Sequence, residues 1–210
     1  MPELQLAAAL PARPTPLARD YRAPTDRWDE MSPGGGALRP QWEYLIRSFE
    51  SLGGAALEQR REEVHRLLRE NGVSYNVYDD PGSDRLWPLD PVPVPLTSSE
   101  WSAIEQGLVQ RAELLELVLA DVYGAGRLIA DGKLPPEVVH AHPGFLRPCH
   151  GFATPPRLAL YAADLARGTD GAIRVIGDRS QAPSGSGYAL ENRVVLSRIL
   201  PSLYRDSHVH

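Results

Sequence analysis

The fold of this chain is decided by RVIGDRSQAPSGSGYALENR, residues 174–193. The stretch begins as a predicted β-strand and continues through a Gly/Ser loop, residues 182–187. A helix is then predicted from about Tyr188 to Leu200, ended or kinked by Pro201. In such an arrangement the loop amides and the positive end of the helix dipole can hold an anion. The pattern fits an ordinary connection between a strand and a helix equally well.

A β-hairpin is predicted immediately before the loop. RLALYAADLAR (157–167) and AIRVIGD (172–178) are the two extended runs, and Gly168-Thr169-Asp170-Gly171 is a turn sequence. Further upstream, VSYNVY (73–78) is β-branched and aromatic and predicts a third strand, followed by a turn over 79–84.

Apolar residues at helical spacing predict the remaining elements. Residues 41–70 contain two such stripes, the first ended by Gly53-Gly54 and the second by Asn71-Gly72. Thr97 and Glu100 form a capping box that starts a long amphipathic helix, which runs to about Tyr123. A short helix is predicted over 127–131, and Pro135-Pro136 can start another turn.

The domain organisation follows from these elements. Residues 1–40 are rich in Pro and Gly and predict an arm, with the segment from Tyr21 to Met31 partly docked. Residues 41–210 form the remainder. The expected fold class is α/β of the mixed α+β kind, with N-terminal helices packed on a mixed sheet and the hairpin 157–178 at its centre.

Composition excludes several classes of protein. The chain has 210 residues, 42% of them hydrophobic, which is too apolar for a disordered chain. One cysteine cannot form an internal disulfide framework, and no apolar run approaches the ~20 residues of a membrane span. The net charge of −5 and the lack of a dense Lys/Arg tract argue against nucleic acid as a partner. A cytoplasmic location is predicted, because the N-terminal apolar stretch lacks a preceding basic region.

Two candidate sites emerge from the residues themselves. Asp178, at the end of a predicted strand, could hold Mg²⁺ through its oxygens, and Arg179 could offset phosphate charge. His140, His142 and the pair Cys149-His150 could suggest zinc. Their spacing is not that of paired zinc ligands, and it favours ordinary loop histidines.

Six motifs in order then carry a family resemblance. They are GVSYNVY (72–78), RLWPLDPVPVPL (85–96), EWSAIEQGLVQRAELLELVLADVYG (100–124), PGFLRP (143–148), DLARGTDG (164–171) and DRSQAPSGSGYALENR (178–193). The chain resembles the circularly permuted type 2 ATP-grasp proteins, which are similar to the ATP-grasp part of glutathionylspermidine synthase. The resemblance implies that residues 41–210 are the N-terminal part of a circularly permuted ATP-grasp domain, a partial ATP-grasp fold with ATP and Mg²⁺ as cofactors. It also implies ligation of a small carboxylate or peptide to an amine, through an acyl-phosphate.

The resemblance also implies roles for individual residues. Asp178 matches the family pattern, whereas Gly177, Arg179 and Gln181 stand where many members have Glu, Asn and Arg. Glycine cannot ligate a metal and arginine repels one. Asp178 and Arg179 are the predicted catalytic residues, and Asp178, Glu191 and Asn192 are the predicted metal ligands. The predicted substrate-binding residues are Asp164, Arg167, Gln181, Ser184, Gly185, Ser186 and Gly187.

Three functions are compatible with the sequence. The first is part of an ATP-dependent carboxylate–amine ligase. The second is a catalytically degenerate ATP-grasp domain that binds nucleotide or peptide, or acts as a scaffold. The third is an interaction module with a coincidental loop. Family members continue past the YALENR helix. The resemblance therefore implies a fragment or truncated gene, inactive alone, whose missing C-terminal portion would supply the lid and most adenine-binding groups.

Overall fold

The computed structural model describes residues 16–76, 84–152 and 156–209. Its helices are α1 Pro40–Leu52, α2 Gly54–Glu70, α3 Ser98–Val122, α4 Arg127–Ala130, α5 Pro136–His140, α6 Ser186–Ile199 and α7 Pro201–Asp206. Its strands are β1 Ser74–Asn76, β2 Asp84–Leu86, β3 Ala162–Arg167 and β4 Ile173–Arg179. None of the helices in these ranges combines the length and apolar character needed to cross a membrane.

The described residues form two compact units. The first, called here the helical unit, contains the residues up to Leu96, the turn 168–171 and the residues from Ser184 onward. The second, called the hairpin unit, contains residues 97–167 and 172–183. The Gly/Ser loop therefore begins in one unit and ends in the other.

The core of the helical unit lies between α1, α2 and α6. It contains the buried side chains of Trp42, Leu45, Phe49, Val64, Leu67, Leu68, Val195, Ile199 and Leu200. Both stripes predicted over 41–70 supply members of this cluster, as their spacing requires. The guanidinium of Arg60 donates from Nε to the carbonyl of Ile199 at 2.9 Å, which ties α2 to the end of α6.

The sheet prediction needs correction. The described strands form two separate antiparallel pairs, β1 with β2 and β3 with β4, and not one mixed sheet. The N-terminal helices α1 and α2 share their core with α6. The strand predicted over 73–78 is confirmed for residues 74–76, which form β1. Its last two residues, and residues 79–83 of the predicted turn, lie outside the described residues.

In the hairpin unit, Thr97 begins α3 as predicted, because its Oγ1 accepts a hydrogen bond from the Glu100 amide at 3.2 Å. Only half of the predicted capping box is used for capping. The Glu100 carboxylate instead forms an ion pair with Arg167 at 2.6 Å. Along the predicted apolar stripe of α3, Val122 is buried, the middle residues are half-buried and Trp101 is 47% exposed.

The hairpin itself is confirmed with a shorter first strand. Gly168 to Gly171 makes the turn, and the pairing register leaves Ile176 without an opposite residue, which marks a β-bulge. Residues 157–161 were predicted as strand, but β3 begins at Ala162. The reason is that the amides of Arg157 and Leu158 donate to the Glu116 carboxylate, at 3.0 and 2.6 Å. A helix side chain thus uses the hydrogen bonds that a longer strand would need.

The predicted arm is described from residue 16 onward, and its segment around Trp28 makes several contacts. The indole of Trp28 covers the hairpin turn so closely that a Cβ on Gly171 would lie 2.3 Å from it. The guanidinium of Arg39 lies 3.8 Å from the centre of the Trp28 ring. Asp29 accepts hydrogen bonds from the amides of Met31 and Ser32, and Ser32 is buried.

Candidate functional site

Asp178 lies near the end of β4 and is held by two side chains of its own unit. Arg111 of α3 donates from Nε and Nη2 to the two carboxylate oxygens, at 2.6 and 2.7 Å. The Tyr161 hydroxyl donates to Oδ1 at 2.6 Å. Together the three residues form what is called here the Asp178 cluster. It joins α3 to β4 and to the residue that precedes β3.

The hydrogen bonds within the cluster shift the pKa values of all three residues. Hydrogen bonds from Arg111 and Tyr161 lower the pKa of Asp178 to about 2, because both stabilise the ionised carboxylate. The pKa of Arg111 is raised in turn, chiefly by its hydrogen bond to Asp178. The pKa of Tyr161 is raised by desolvation and by its bond to the carboxylate. The cluster is therefore an arginine–carboxylate ion pair with a neutral phenol.

A second ion pair lies across the hairpin. Arg179 donates from Nε to Asp164 Oδ2 at 3.0 Å. Asp164 stands opposite Gly177 in the register. A Cβ on Gly177 would lie 3.2 Å from the same carboxylate oxygen, which is closer than most real contacts. The glycine thus leaves room for the carboxylate that neutralises Arg179. The structure brings together two predicted site residues, Asp164 and Arg179.

Arg167, a predicted substrate contact, is largely buried and forms an ion pair with α3. Its side chain is only 10% exposed and pairs with Glu100 at 2.6 Å. This pair ties the end of β3 to the first turn of α3. The substrate-binding role of Arg167 stays a prediction, and the described geometry gives it a supporting position.

The Gly/Ser loop leads from β4 to α6. Gln181 is exposed, and Ala182 has a left-handed backbone with φ +45°. Gly185 is the N-cap of α6 at φ +105°, and within the described chain it offers no side-chain cap to the first amides of the helix. Ser186 and Gly187 occupy the first turn. A helix start without a side-chain cap leaves amide donors available to an anion. The anion site predicted from Ser184 to Gly187 is compatible with this local geometry.

Glu191 and Asn192 lie on α6 in the helical unit, whereas Asp178 belongs to the hairpin unit. Glu191 accepts a hydrogen bond from the Asn71 side-chain amide. Asn192 accepts from Trp87 Nε1 at 2.9 Å, and the Trp87 ring stacks on Tyr188 at 4.4 Å between centroids. Both predicted ligands thus make contacts that fix α6 to the residues around β1 and β2.

The residues present do not fit a magnesium site at Asp178. Magnesium needs several oxygen ligands in octahedral geometry. Here both carboxylate oxygens of Asp178 receive donors, and one donor carries a positive charge. Within the described ranges, no group of three or more His, Cys, Asp or Glu residues is arranged to hold a metal ion. The metal assignment of Asp178, Glu191 and Asn192 stays a prediction without support from this geometry.

The histidine and cysteine candidates also have ordinary surroundings. His142 Nδ1 accepts from the Gly144 amide at 3.0 Å, and the His140 ring meets the edge of Phe145 at 5.1 Å. Cys149 is a free, exposed thiol in a 3₁₀ turn. These contacts favour ordinary structural histidines over zinc ligands, although His140 ends α5 and does not lie in a loop as predicted.

Sequence reasoning missed Arg111, Tyr161 and Glu116. Arg111 lies 67 residues from Asp178, and a local pattern does not report such a pairing. One signal was present: Glu100 and Arg111 are eleven residues apart, about three helical turns, and so share a face of α3. The two ion pairs they form bracket an apolar groove of about 630 Å³ between α3 and the hairpin. Its other lining residues include Ile104, Leu108, Leu165, Ile173 and Val175.

Comparisons with known proteins identify the family. Residues 93–210 match the family described as circularly permuted ATP-grasp type 2. The chain is 38% identical to an uncharacterised protein of Mycobacterium tuberculosis, over 96% of the chain and 24% of the relative. It is 35% identical to an uncharacterised protein of Synechocystis, over 87% of the chain and 38% of the relative.

A Frankia alni protein provisionally named glutamate–cysteine ligase 2-3 is 36% identical, over 94% of the chain and 23% of the relative. The chain thus spans between 23% and 38% of the length of these three relatives. The family match covers more than half of the chain, so this chain belongs to the circularly permuted ATP-grasp type 2 family.

Proposed function

We propose that the chain contributes the substrate-side part of an ATP-dependent carboxylate–amine ligase. Membership of the ATP-grasp type 2 family is the observation that carries the proposal. The Frankia alni relative, provisionally named glutamate–cysteine ligase, supports it, because that name describes the joining of two amino acids. The family match, which includes the loop, favours this proposal over an interaction module with a coincidental loop.

The reaction proposed has two steps. A substrate carboxylate oxygen attacks the γ-phosphorus of ATP, which forms an acyl-phosphate and releases ADP. The amine nitrogen of the second substrate then attacks the acyl carbon, inorganic phosphate leaves, and the amine loses a proton to give the amide. Negative charge accumulates on the phosphoryl oxygens in the first step and on the carbonyl oxygen in the second.

In this chain, the loop from Ser184 to Gly187 is proposed to bind the anionic group through backbone amides at the start of α6. In the hairpin unit, Arg179, with its side chain 56% exposed, is proposed to offer a positive charge to an anionic substrate, and Gln181 a hydrogen bond. An anionic ligand at Arg179 would compete with Asp164 for the guanidinium. Asp164 would thus hold Arg179 in place until a ligand arrives.

The proposal is tested on the complete gene product with an isotope experiment. A carboxylate substrate labelled with ¹⁸O transfers one label to inorganic phosphate only if an acyl-phosphate forms. Candidate pairs of amino acids and small peptides are screened with ATP and Mg²⁺. Transfer of ¹⁸O that depends on ATP supports the proposal. ATP-dependent amide formation in which no label reaches phosphate would contradict it.

A matched pair of glycine variants tests the loop. Gly185 and Gly34 both have positive φ angles, +105° and +107°, with open space where a Cβ would stand. Replacement of either by alanine therefore strains the backbone by a similar amount, about 1 kcal/mol or more. Gly185→Ala should lower kcat/KM at least tenfold, and Gly34→Ala should leave it within twofold. An equal loss of kcat/KM in both variants would contradict a role for the loop in substrate binding.

The degenerate-domain alternative is favoured by one specific observation, the neutralisation of Asp178 by Arg111. A domain that binds nucleotide without catalysis would show ATP-dependent thermal stabilisation and no ¹⁸O transfer with any substrate pair. That combination of results would replace the ligase proposal with a binding role.

A further inference from the structure

We infer that Asp178 is the anionic member of a charge-neutral cluster with Arg111 and Tyr161, and that it does not bind a divalent cation. The inference concerns the residue that the sequence pattern marks as the strongest metal-ligand candidate. It does not depend on the proposed ligase activity, because its tests measure metal binding, stability and side-chain resonances.

The first argument is that three of the roughly four lone-pair sites of the carboxylate accept hydrogen bonds. Three donors reach the two oxygens of Asp178, all at 2.6–2.7 Å. The two guanidinium bonds are bidentate, which is the strongest geometry for an arginine–carboxylate pair. A cation that bound here would have to displace Arg111 or accept its positive charge as a close neighbour.

The second argument is that the described residues of β3 and β4 offer no further metal ligand beside Asp178. Position 177 is a glycine and offers no side chain. Asp164, the other described carboxylate of the hairpin strands, is paired with Arg179 at 3.0 Å. Each of the two acidic groups on β3 and β4 therefore has its own arginine. An arginine supplies one positive charge in fixed geometry, where a metal ion would supply two and demand further oxygen ligands.

The third argument is the position of the cluster. Arg111 lies in the middle of α3, Tyr161 directly precedes β3, and Asp178 is the penultimate residue of β4. The cluster therefore fixes the end of β4, from which the chain continues into the Gly/Ser loop. Within the hairpin unit, Asp178 is a positioning residue for the end of β4, and Arg111 and Tyr161 hold it there.

A metal titration separates the two roles. Binding of Mn²⁺, followed by its electron paramagnetic resonance signal, is compared in the wild-type chain, Asp178→Asn and Asp131→Asn. Asp131 is an exposed carboxylate just after α4 and provides the matched control. We expect the three titrations to agree within twofold, or to show no binding at all. A site that is lost in Asp178→Asn and kept in Asp131→Asn would overturn the inference.

A resonance of the wild-type chain keeps the test valid even if a variant does not fold. The Arg111 Nε–H proton lies in the hydrogen bond to Asp178, so its NMR signal reports on the pair directly. We expect MgCl₂ to shift this signal no more than NaCl at the same ionic strength. A selective shift with MgCl₂ would show that the cation reaches Asp178 and would contradict the inference.

A variant cycle tests the positioning role. Asp178→Asn and Arg111→Met should each lower Tm by a few degrees, roughly 2–5 °C. The double variant should fall by clearly less than the sum of the two, because the second substitution removes a group that already lacks its partner. Arg111→Lys should recover part of the loss. Strictly additive losses, or a rise in Tm when Arg111 is removed, would show that the pair is not coupled as proposed.

Discussion

The helical unit and the hairpin unit differ in what stabilises them. The helical unit buries a cluster of nine apolar residues between α1, α2 and α6. Among the described apolar residues of the hairpin unit, only Val122 and Val139 are buried to that degree. Instead, ion pairs connect its parts, namely Glu100–Arg167, Arg111–Asp178, Arg157–Glu116 and Asp164–Arg179.

This difference has a physical consequence. Apolar burial is not weakened by the screening of charges or by the protonation of carboxylates, whereas ion pairs weaken with salt and with acid. The hairpin unit also exposes large apolar side chains on α3, with Leu114 59% and Leu117 67% exposed. We therefore expect the two units to respond differently to substitution, salt and pH, and four predictions test that expectation.

The largest effect is expected in the helical core. Leu68→Ala removes a fully buried side chain and leaves a cavity, which should cost about 2–5 kcal/mol of unfolding free energy. Urea denaturation with amide hydrogen exchange would measure the loss and locate it in α1, α2 and α6. Leu117→Ala on exposed α3 is the control and should stay within ~0.5 kcal/mol. Comparable losses of unfolding free energy in both variants would show that the two units do not differ in their dependence on apolar burial.

A smaller loss of unfolding free energy is expected from the ion pair between Glu100 and Arg167, the most buried of the ion pairs described in the hairpin unit. Glu100→Gln removes the carboxylate from the Arg167 guanidinium, whose side chain is 10% exposed. The expected loss is about 1–3 kcal/mol, detected as faster amide exchange in α3 and β3. Glu105→Gln, on an exposed position of the same helix, should change little. If both variants behave alike, the pair does not stabilise the hairpin unit.

The start of α3 is expected to contribute next. Thr97→Ala removes the oxygen that accepts from the Glu100 amide and should cost about 1 kcal/mol. Thr97→Ser keeps the acceptor and should restore most of the stability in the same thermal melt. Equal melting temperatures for the alanine and serine variants would show that the cap is not used.

The smallest effect is expected from acid. Hydrogen bonds from the amides of Arg157 and Leu158 lower the pKa of Glu116 below its ordinary 4.5. A depressed pKa stabilises the folded state above the unfolded value, and this contribution is lost as pH falls through the folded value. The protection factors of amides in the hairpin unit, which are exchange rates corrected for the intrinsic effect of pH, should therefore fall below about pH 4.5. Glu116→Gln should flatten that dependence, whereas Leu68→Ala should leave its slope unchanged.

The sequence predicted helices, caps and turns well where the residues that determine them lie within a few positions of one another. The apolar spacing of 41–70, the cap at Thr97 and the turn at Gly168–Gly171 each act within a few residues, and the structure confirms all three. The start of β3 could not be predicted this way, because the Glu116 side chain that ends the ladder lies 41 residues from Arg157.

The candidate site shows the same division. Asp178 and the Gly/Ser loop were found from their place between a strand and a helix. The partner of Asp178 is Arg111, and the choice between an arginine and a metal depends on packing of α3 against the hairpin. The exchange of Glu for Gly at 177 was visible in the sequence. Its physical meaning, space for the Asp164 carboxylate, required the register of β3 and β4.

The contact between Trp28 and Gly171 has a consequence for how this chain can evolve. A Cβ at position 171 would fall 2.3 Å from an indole carbon, so the volumes of these two residues are not independent. The backbone at 171 also has φ +83°, which strains any side chain even where space is available. Homologous sequences with a large residue at 28 should therefore keep glycine at 171, even where the rest of the arm diverges freely.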